Sequence, residues 1–414
     1  MRMKFNKTSQ LLLVSAASLL AAGLMTACGT DTVDFVYVAS SQAAGTNNYG
    51  EIDIFEINSV SGFMRQIPAS PFPSGGRNPV AEAVSSDYSN LYVVNKDDNT
   101  IVQFMIGSDG KLYPQNTVNT PGIFPLAAAV NGSNLFVIDT YQPLPSCSTA
   151  LPCSGSVGVF PLAAASGTGS SATLGGAPGS PVVNPGNGAD YWPLTLSGNS
   201  SSDILLPTGV NVLASGAYLY VTAYDTTANA GYVFGFTIGA GGVLSAVSGS
   251  PFATGVHPSA IASDSTSSYV YVTDSVSGKV SGYSVASGVL SPLSGSPYPA
   301  GNQPSAIVVD SKYPFVYVAN SLDGNVSAYS IGGSGALTGI GTYAAGINPV
   351  AIGIDPGTSR FVFTANFLSN GANGTVSDFE MSTTAGTLIN TQHSPYTSNA
   401  LPTAVAAVPH NVTP

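Results

Sequence analysis

The chain has 414 residues, of which only 7% are charged, and its 21 acidic residues outnumber its 10 basic ones to give a formal net charge of −11. Such a surface repels phosphate backbones, so the composition excludes nucleic acid as a partner. Few charges together with 47 glycines fit an exported β-protein with an exposed surface.

The first 27 residues have the pattern of an export signal. Three basic residues precede an apolar run over Leu11–Leu24, and small residues stand just before Cys28. This arrangement resembles the signal of a bacterial lipoprotein, which predicts cleavage before Cys28 and lipidation of its thiol. An ordinary secretory signal followed by a chance cysteine is the other interpretation.

Loss of this signal removes three of the 10 basic residues and no acidic one, which leaves a net charge near −14. No later segment is long and apolar enough to span a bilayer. If the organism has two membranes, Gly29 after the cysteine resembles the sorting pattern for the outer membrane. We therefore expect an exported lipoprotein of the cell envelope, in the outer membrane or periplasm, attached only through its N-terminal lipid, with residues 28–34 as a linker.

A short phrase then recurs to the end of the chain, and its best copy joins Pro304-Ser305-Ala306-Ile307 to Phe315-Val316-Tyr317-Val318-Ala319-Asn320. The last three copies are 46 residues apart, which suits four short antiparallel strands per unit. The repeats predict an all-β, seven-bladed β-propeller over residues 35–410, followed by a tail at 411–414. One aromatic residue anchors each copy: Tyr37, Tyr92, Phe136, Tyr220, Tyr271, Tyr317 and Phe363.

Several blades carry a second marker, Ser-Pro-aromatic, which suits an exposed outer strand because proline cannot donate to a strand ladder. It occurs at Ser70-Pro71-Phe72, Ser250-Pro251-Phe252, Ser296-Pro297-Tyr298 and Ser394-Pro395-Tyr396, and more weakly at Ser180-Pro181-Val182.

The two ends of the repeat region complement each other. The chain ends with a first-strand phrase, Pro402–Val408, and the propeller begins with a second-strand phrase, Phe35–Val38. We expect these strands to pair in one composite blade, which closes the ring and removes an open sheet edge. A closed ring is also consistent with a monomer.

Cys147 and Cys153 are the remaining cysteines once Cys28 is lipidated. Outside the reducing cytoplasm they are expected to form a disulfide that closes a short loop. A metal site is the weaker interpretation, because no His stands nearby to complete four ligands. We expect no metal and no cofactor.

Strand direction places the residue before each first-strand proline, here called the x-Pro residue, on the same face of the disc as the end of the second strand. Asn78, Asn95, Asp274, Asn320 and Asn366 are therefore candidate ligand-binding residues on this face. The alternative is that such Asn and Asp side chains close backbone turns. The full set comprises Asn78, Phe124, His257, Gln303, Asn348 and Leu401 with Ser40, Asn95, Asp139, Asp274, Asn320 and Asn366.

One interval is too long for a blade, since Phe136 and Tyr220 are 84 residues apart. The surplus is assigned to insertions at about 140–155 and about 183–208, both expected on the x-Pro face. Tyr141 and Trp192, the only tryptophan, would then stand over the channel mouth as further ligand-binding residues. Long loops on a rigid scaffold carry function or are disordered, and both interpretations remain open.

Two charged residues stand at repeat positions where the other blades have uncharged residues. Glu82 stands where the other first strands have Ala128, Ile261, Ile307, Ile352 or Val405, and Arg77 lies just upstream. A carboxylate in an apolar slot is costly unless it is paired, so Arg77 and Glu82 are candidate catalytic partners. The alternative is a glutamate that reaches into a water-filled channel. His257, beside Asp274 in the neighbouring strand, is the third catalytic candidate, as a general base.

The phrase Tyr317-Val318-Ala319-Asn320 with its upstream Pro-Ser-Ala-Ile resembles the seven-bladed lactonase-like propellers, the family of 6-phosphogluconolactonase and the Tyr-Val-Thr-Asn repeat proteins. The resemblance covers roughly residues 35–410 and implies the propeller fold. Lactonases of that family share a His-bearing inner-strand motif, whereas Phe124-Pro125-Leu126 and Leu206-Pro207-Thr208 have no His at the corresponding places.

Two functions follow from these observations. The favoured one is an envelope-anchored binding propeller that uses the x-Pro face for a glycan, a peptide or an envelope partner. The alternative is an exported lactonase for a neutral or weakly charged lactone, in which Glu82 or His257 activates water and Arg77 stabilises the oxyanion.

Overall fold

The computed structural model describes residues 32–42, 49–143, 147, 153–164, 175–196, 203–368 and 373–410. The export signal, Cys28 and the tail at 411–414 lie outside this range. The described residues form seven antiparallel sheets, so the predicted seven-bladed propeller is confirmed. Among the described residues the one helical element is a single 3₁₀ turn, Ala240–Gly242.

The strands of the first four blades run from the channel outwards in the order given. Blade 1 has β32 (Leu401–Pro409), β1 (Thr32–Ser41), β2 (Tyr49–Asn58) and β3 (Met64–Gln66), with β4 (Phe72–Arg77) also on β2. Blade 2 has β5 (Pro79–Val84), β6 (Asn90–Asn95), β7 (Thr100–Ile106) and β8 (Leu112–Asn119). Blade 3 has β9 (Ile123–Asn131), β10 (Asn134–Tyr141), β11 (Ser156–Pro161) and β12 (Trp192–Pro193). Blade 4 has β13 (Leu205–Val212), β14 (Tyr218–Asp225), β15 (Ala230–Ile238) and β16 (Leu244–Ala246), with β17 (Phe252–Ala253) also on β15.

The last three blades repeat this order. Blade 5 has β18 (Pro258–Ser263), β19 (Tyr269–Asp274), β20 (Lys279–Ala286) and β21 (Val289–Pro292), with β22 (Tyr298–Pro299) also on β20. Blade 6 has β23 (Pro304–Val309), β24 (Phe315–Asn320), β25 (Asn325–Ile331) and β26 (Leu337–Ala344). Blade 7 has β27 (Ile347–Ile354), β28 (Phe361–Leu368), β29 (Thr375–Met381) and β30 (Leu388–Asn390), with β31 (Tyr396–Thr397) also on β29.

The core lies between neighbouring blades rather than at the centre of the disc. A blade is a sheet with an adjacent blade on each face, so its second strand is buried on both sides. Every residue of β24 is buried for this reason, and the strand is rich in the β-branched and aromatic residues that pack well on a pleated surface.

The anchor tyrosines also join blades through their hydroxyl groups. Each hydroxyl donates to a glycine carbonyl in the connection between the third and fourth strands of the next blade. Those glycines have positive φ, which residues with a Cβ rarely adopt. The pairs are Tyr37 to Gly110 (2.9 Å), Tyr92 to Gly176 (2.7 Å), Tyr220 to Gly288 (2.7 Å), Tyr271 to Gly335 (2.7 Å) and Tyr317 to Gly386 (3.0 Å).

The ring closes as expected. β1 pairs with β32 in antiparallel register from Asp34 opposite Pro409 to Ser41 opposite Leu401. Each innermost strand packs beside the innermost strand of the next blade all the way round. β1 begins at Thr32, so the blade includes residues that the sequence analysis assigned to the linker.

The Ser-Pro-aromatic marker lies in the outer part of four blades, where its Ser-Pro bond is cis. In blade 3, however, the aromatic position is filled by Trp192 and not by the predicted Ser180-Pro181-Val182. Trp192 lies opposite Val157 in β11, just as Tyr298 lies opposite Val280 in β20. No helix in the described ranges is long and apolar enough to cross a membrane.

Candidate functional site

The x-Pro residues surround one end of the channel. Together with the residue that directly follows the second-strand partner of each first-strand proline, they form what is here called the mouth. The x-Pro ring is Leu401, Asn78, Phe124, Leu206, His257, Gln303 and Asn348 in blade order. The second ring is Ser41, Lys96, Thr140, Tyr224, Ser275, Ser321 and Phe367.

The backbone of the mouth is unusual. Asn78, Phe124, Gln303 and Asn348 have φ between 52° and 57°, although each precedes a proline and none is glycine. Left-handed residues other than glycine store strain and are enriched at functional sites. Four blades therefore impose the same strained turn at the channel opening.

Hydroxyl groups link adjacent blades just below this turn. Ser259 donates to the carbonyl of Pro304 (2.6 Å), and Ser305 donates to the carbonyl of Pro349 (2.6 Å). Thr403 makes the same bond to Pro79 across the ring closure (2.7 Å). These bonds fix the relative positions of the x-Pro residues.

Four predicted ligand-binding residues prove to be structural. Asn95, Asp274, Asn320 and Asn366 are at most 1% exposed. Asp274 accepts backbone N–H groups from His257 (3.1 Å), Val276 (2.9 Å) and Ser277 (2.8 Å). The amide of Asn320 donates to Asn325 (2.8 Å), and that of Asn366 donates to Ser377 (2.9 Å). Asp274, Asn320 and Asn366 close turns, and Asn95 is fully buried, so the assignment of these four residues to a ligand is corrected.

His257 is the sequence candidate that best fits a reactive position. Its ring lies 4.4 Å from that of Tyr224 in blade 4, and its Nδ1 lies 3.1 Å from the hydroxyl of Ser275. The Ser275 hydroxyl also donates to the His257 carbonyl (3.2 Å). Because a hydroxyl carries one proton, this arrangement has Nδ1–H donating to Ser275 and leaves the lone pair on Nε2. The contact of His257 with Asp274 is made by its backbone.

The predicted pair of Arg77 and Glu82 does not form. Arg77 binds Asp98 instead, through Nε (2.6 Å) and NH2 (2.6 Å). The reason is geometric, because Arg77 ends β4 just before β5 begins, where the loop after β6 presents Asp98. The amide of Asn78 likewise donates to Asp97 (3.2 Å).

Glu82 faces blade 1 from within the sheet and does not reach into open water. Both carboxyl oxygens are buried and lack a hydrogen-bond partner among the described residues. Burial raises the pKa of Glu82 to about 8, and the nearby Ala39 backbone only partly offsets this. At neutral pH Glu82 is thus mainly a neutral acid, and its carboxyl group lies between blades 1 and 2 rather than among the x-Pro residues.

Asp139 is a second buried acid that the sequence analysis left among the turn residues. Its Oδ2 accepts the N–H of Gly122 (3.0 Å), while its Oδ1 has no partner in the described ranges. Burial raises the pKa of Asp139 to about 7, although hydrogen bonds from Thr120 and Gly122 act to lower it. Its position at the end of a second strand was visible in the sequence, but its burial was not.

The two predicted insertions differ in outcome. The first joins β10 to β11 on the x-Pro face, and it contains the predicted disulfide between Cys147 and Cys153, with a Cα–Cα distance of 5.4 Å. Most of the extra residues assigned to the second insertion lie between β11 and β12, before the outer strand of blade 3 rather than after it. That connection leaves from the opposite face, so the prediction for it is corrected.

The two aromatic residues of these insertions separate accordingly. Trp192 is 6% exposed in the outermost strand of blade 3, and its indole N–H donates to the carbonyl of Leu244 in blade 4 (3.0 Å). It is a core residue at the outer edge of the disc and not part of the mouth. Tyr141 does lie at the mouth, where its ring contacts Phe124 edge-on at 6.4 Å.

Rings predominate on one side of the mouth and amides on the other, where Leu401 and Phe367 also stand. Blades 3 to 5 contribute rings and an apolar side chain, from Phe124, Tyr141, Leu206, Tyr224 and His257. Blades 6, 7 and 2 contribute the amides of Gln303, Asn348 and Asn78. The amides of Gln303 and Asn348 make no hydrogen bond within the described part of the chain. Rings opposite free amides suit a ligand with a flat apolar face and several hydroxyl groups.

The family model described as "Lactonase, 7-bladed beta-propeller" matches residues 277–410, which include the copies of the repeat in blades 6 and 7 and the closing strand β32. The predicted resemblance to the lactonase-like propellers is confirmed. Among proteins with curated descriptions, none matches this sequence.

Solved structures show the same fold along nearly the whole of this lactonase-like propeller. A candidate 6-phosphogluconolactonase of Bacteroides fragilis has 19% identity and a TM-score of 0.69, over 92% of this chain and 99% of that one. The periplasmic gluconolactonase PpgL of Pseudomonas aeruginosa has 19% identity and a TM-score of 0.66, over 91% and 99%. A hypothetical selenium-binding protein of Sulfolobus tokodaii has 12% identity and a TM-score of 0.60, over 92% and 94%. At these identities the likeness establishes the fold alone.

Two surface concavities of the lactonase-like propeller lie away from the mouth. One of about 550 Å³ runs beside β26 and β22, and one of about 260 Å³ lies beside β2 and β3. Neither includes an x-Pro residue. Within the described ranges no group of three or more His, Cys, Asp or Glu residues is arranged to hold a metal ion.

Proposed function

We propose that the protein is an exported lactone hydrolase that opens the ring of a neutral or weakly charged, polyhydroxylated lactone at the mouth. The observation that carries this proposal is the placement of His257, half-buried at the channel opening with Nδ1 held by Ser275 and its ring against Tyr224. The match of the C-terminal blades to the lactonase model supports the reaction type.

In this reaction His257 acts as the general base. Nε2 takes a proton from water while the water oxygen adds to the lactone carbonyl carbon. The ring C–O bond then breaks, and the imidazolium returns the proton to the departing ring oxygen. The products are a hydroxyl group and a carboxylic acid, which ionises at neutral pH. The rings of the mouth hold the flat face of the sugar, and its free amides bind the hydroxyl groups.

The experiment is a hydrolysis assay on aldono-δ-lactones and aldono-γ-lactones, with spontaneous hydrolysis subtracted. His257→Gln should lower kcat/KM by about 100-fold or more, since a positioned base contributes at least that much. Ser275→Ala should lower it less and change its pH profile, because it releases Nδ1. His393→Gln is the matched control, because this histidine lies against Phe63 in blade 1, away from the mouth. Equal rates for His257→Gln and the parent protein would refute the role of His257.

The second candidate is a binding propeller without turnover. It is favoured by the engagement of Arg77 with Asp98, which removes the cation that the sequence analysis assigned to the oxyanion. In this case the mouth binds a glycan, a peptide or an envelope partner through the same rings and amides. Binding of polyols without hydrolysis of any lactone would favour this candidate.

We also propose that the propeller is anchored to the cell envelope by lipid on Cys28. The signal pattern supports this location, and so does the disulfide, which is typical of oxidising compartments. Cys28→Ser should move the protein from the membrane fraction to the soluble exported fraction, without change in the propeller. The measurement is fractionation of cells followed by immunoblotting. Unchanged membrane association of Cys28→Ser would contradict lipid anchoring.

A further inference from the structure

The second ring of the mouth shows which positions are free for a ligand. Four of its residues bond back to the x-Pro carbonyl of their own blade through a hydroxyl. These bonds are Ser41 to Leu401 (3.5 Å), Thr140 to Phe124 (2.7 Å), Ser275 to His257 (3.2 Å) and Ser321 to Gln303 (2.9 Å). Blades 2, 4 and 7 have Lys96, Tyr224 and Phe367 there instead. Tyr224 already contacts His257, so Lys96 is the one residue of this ring that brings a charge.

The backbone holds Lys96 at the same place as its hydroxyl counterparts. Its N–H donates to the carbonyl of the x-Pro residue Asn78 at 3.0 Å, as those of Ser275 and Ser321 do to His257 and Gln303. The side chain of Lys96 is half-buried. A lysine in this position can cover its stem against the protein and still present its ammonium to the opening.

Cations are scarce in this protein, and most of them already have partners. Within the described ranges, Arg65, Arg77, Lys111 and Arg360 form ion pairs with Glu56, Asp98, Asp109 and Glu380. Lys312 donates to the carbonyl of Gly357. Lys96 and Lys279 are the two whose ammonium groups have neither an ion pair nor a hydrogen bond among the described residues, and Lys279 is exposed at the start of β20 rather than in either ring of the mouth.

The acids next to Lys96 are bonded to other groups. Asp98 accepts from the backbone N–H of Arg77 (2.7 Å) as well as from its guanidinium (2.6 Å). Asp97 accepts from the amide of Asn78 (3.2 Å). Arg77 and Asn78 thus occupy the two carboxylates nearest in sequence, which leaves the ammonium of Lys96 for a ligand.

We propose that Lys96 binds a carboxylate group of a polyhydroxylated ligand in the mouth. An ammonium supplies a point charge and three donors, which suits a carboxylate at the end of a flexible chain. The ligand class rests on the proposed function, since lactone hydrolysis yields hydroxy acids. Lys96 in blade 2 and His257 in blade 5 lie on different sides of the ring, so Lys96 is a specificity-determining residue and not a second base.

The test compares D-gluconate with D-glucitol, which has the same hydroxylated chain but no charge. Calorimetric titration of the purified protein at low ionic strength should show gluconate binding about 10-fold more tightly, the factor that corresponds to about 1.4 kcal/mol. Added salt should reduce this preference, because it screens an exposed charge pair.

Lys96→Gln should abolish the preference for gluconate and leave the affinity for glucitol unchanged. Lys96→Arg should retain most of it. Lys279→Gln is the matched control, because it removes the other lysine that has neither an ion pair nor a hydrogen bond among the described residues, and it should bind both compounds as the parent protein does. Equal affinity of the parent protein for the two compounds, or of Lys96→Gln and the parent for gluconate, would overturn the proposal, as would an equal loss in Lys279→Gln.

These outcomes are separable from the proposed function. Lactone hydrolysis without a gluconate preference refutes the role of Lys96 and leaves the hydrolase standing. A gluconate preference that depends on Lys96, with no lactone hydrolysed, supports the carboxylate site and refutes the hydrolase. A folded Lys96→Gln variant, verified by its thermal transition, excludes misfolding as the cause of any loss.

Discussion

Deletion of residues 401–414 should prevent the propeller from folding. β32 is the innermost strand of blade 1, and it pairs with β1 from Asp34 to Ser41. Without it, β1 exposes an unpaired edge to the channel, and blades 7 and 2 lose the strand packed between them. The loss exceeds the whole stability of a typical domain, about 5–15 kcal/mol. We expect no cooperative thermal transition by calorimetry and loss of near-ultraviolet circular dichroism.

Deletion of residues 411–414 alone is the control, because it leaves β32 entire and should preserve the transition. A milder substitution in β32 allows the contribution of this strand to the free energy of unfolding to be measured. Val408 is 2% exposed and packs with Phe35 and Tyr37, so Val408→Ala should lower the free energy of unfolding by about 2 kcal/mol. A cooperative transition of unchanged midpoint after loss of β32 would show that ring closure does not hold the fold.

Asp34→Asn should stabilise the protein, and increasingly so as the pH rises. Asp34 is fully buried at the closure of the ring, beside Asp355 of blade 7. Burial, followed by the charge of Asp355, raises the pKa of Asp34 to about 9. At Asp355 burial also acts to raise the pKa, but hydrogen bonds, with Thr358 foremost, outweigh it and hold the pKa below its usual value. The pair therefore keeps one proton, on Asp34.

The sign of the effect follows from proton binding. Above pH 3.8, the usual pKa of this acid, the unfolded chain releases the proton, whereas the folded protein retains it up to about pH 9. Stability therefore falls with rising pH across this window, by about 1.4 kcal/mol per pH unit for one proton. Asparagine offers Asp355 an N–H donor without the proton cost, so its advantage at pH 7 is at most about 4 kcal/mol.

The measurement is the free energy of unfolding at several pH values between 5 and 9. Asp323→Asn is the control, because Asp323 is exposed and hydrogen bonds from Asn302 lower its pKa. It should not stabilise the protein. An Asp34→Asn variant with the pH dependence of the parent protein would show that Asp34 does not hold a proton in the folded state.

Other buried acids should add to the same trend in the parent protein. Burial raises the pKa of Glu82 to about 8 and that of Asp139 to about 7, and it raises that of Asp378 well above its usual value. Each of these groups binds a proton more tightly in the folded state than in the unfolded chain. The protein is therefore expected to be most stable on the acidic side of neutrality.

The repeats were readable from the sequence because a blade imposes local rules. The anchor residues recur at the period of a four-stranded unit, and each lies in a second strand that is buried on both faces. The complementary end phrases predicted the pairing of β1 with β32 for the same reason, since an unpaired inner strand requires a partner. The disulfide was predicted from the six-residue separation of the two cysteines and from the expectation that the protein is exported.

The second insertion was predicted after the outer strand of blade 3, whereas it lies before that strand. The error arose because Trp192 does not stand in a Ser-Pro-aromatic marker, so the outer strand was not recognised. Trp192 fills the place of Tyr298 in a two-residue strand, so the long connection precedes it. Nothing in the sequence distinguishes a loop before such a strand from a loop after it. The register of β12 on β11 decides the matter, and with it the face from which the connection emerges.

The sequence by itself determined the fold, the ring closure and the face on which the x-Pro residues gather, because these follow from side-chain periodicity and strand direction. Only the tertiary structure decided which polar side chains remain available there. Asp274, Asn320 and Asn366 close turns, and Asn95 is fully buried. Arg77 pairs with Asp98, and the carboxyl group of Glu82 is buried between blades. His257 and Lys96 remain at the mouth. Availability depends on burial and on partners distant in the chain, and neither is a local property of the sequence.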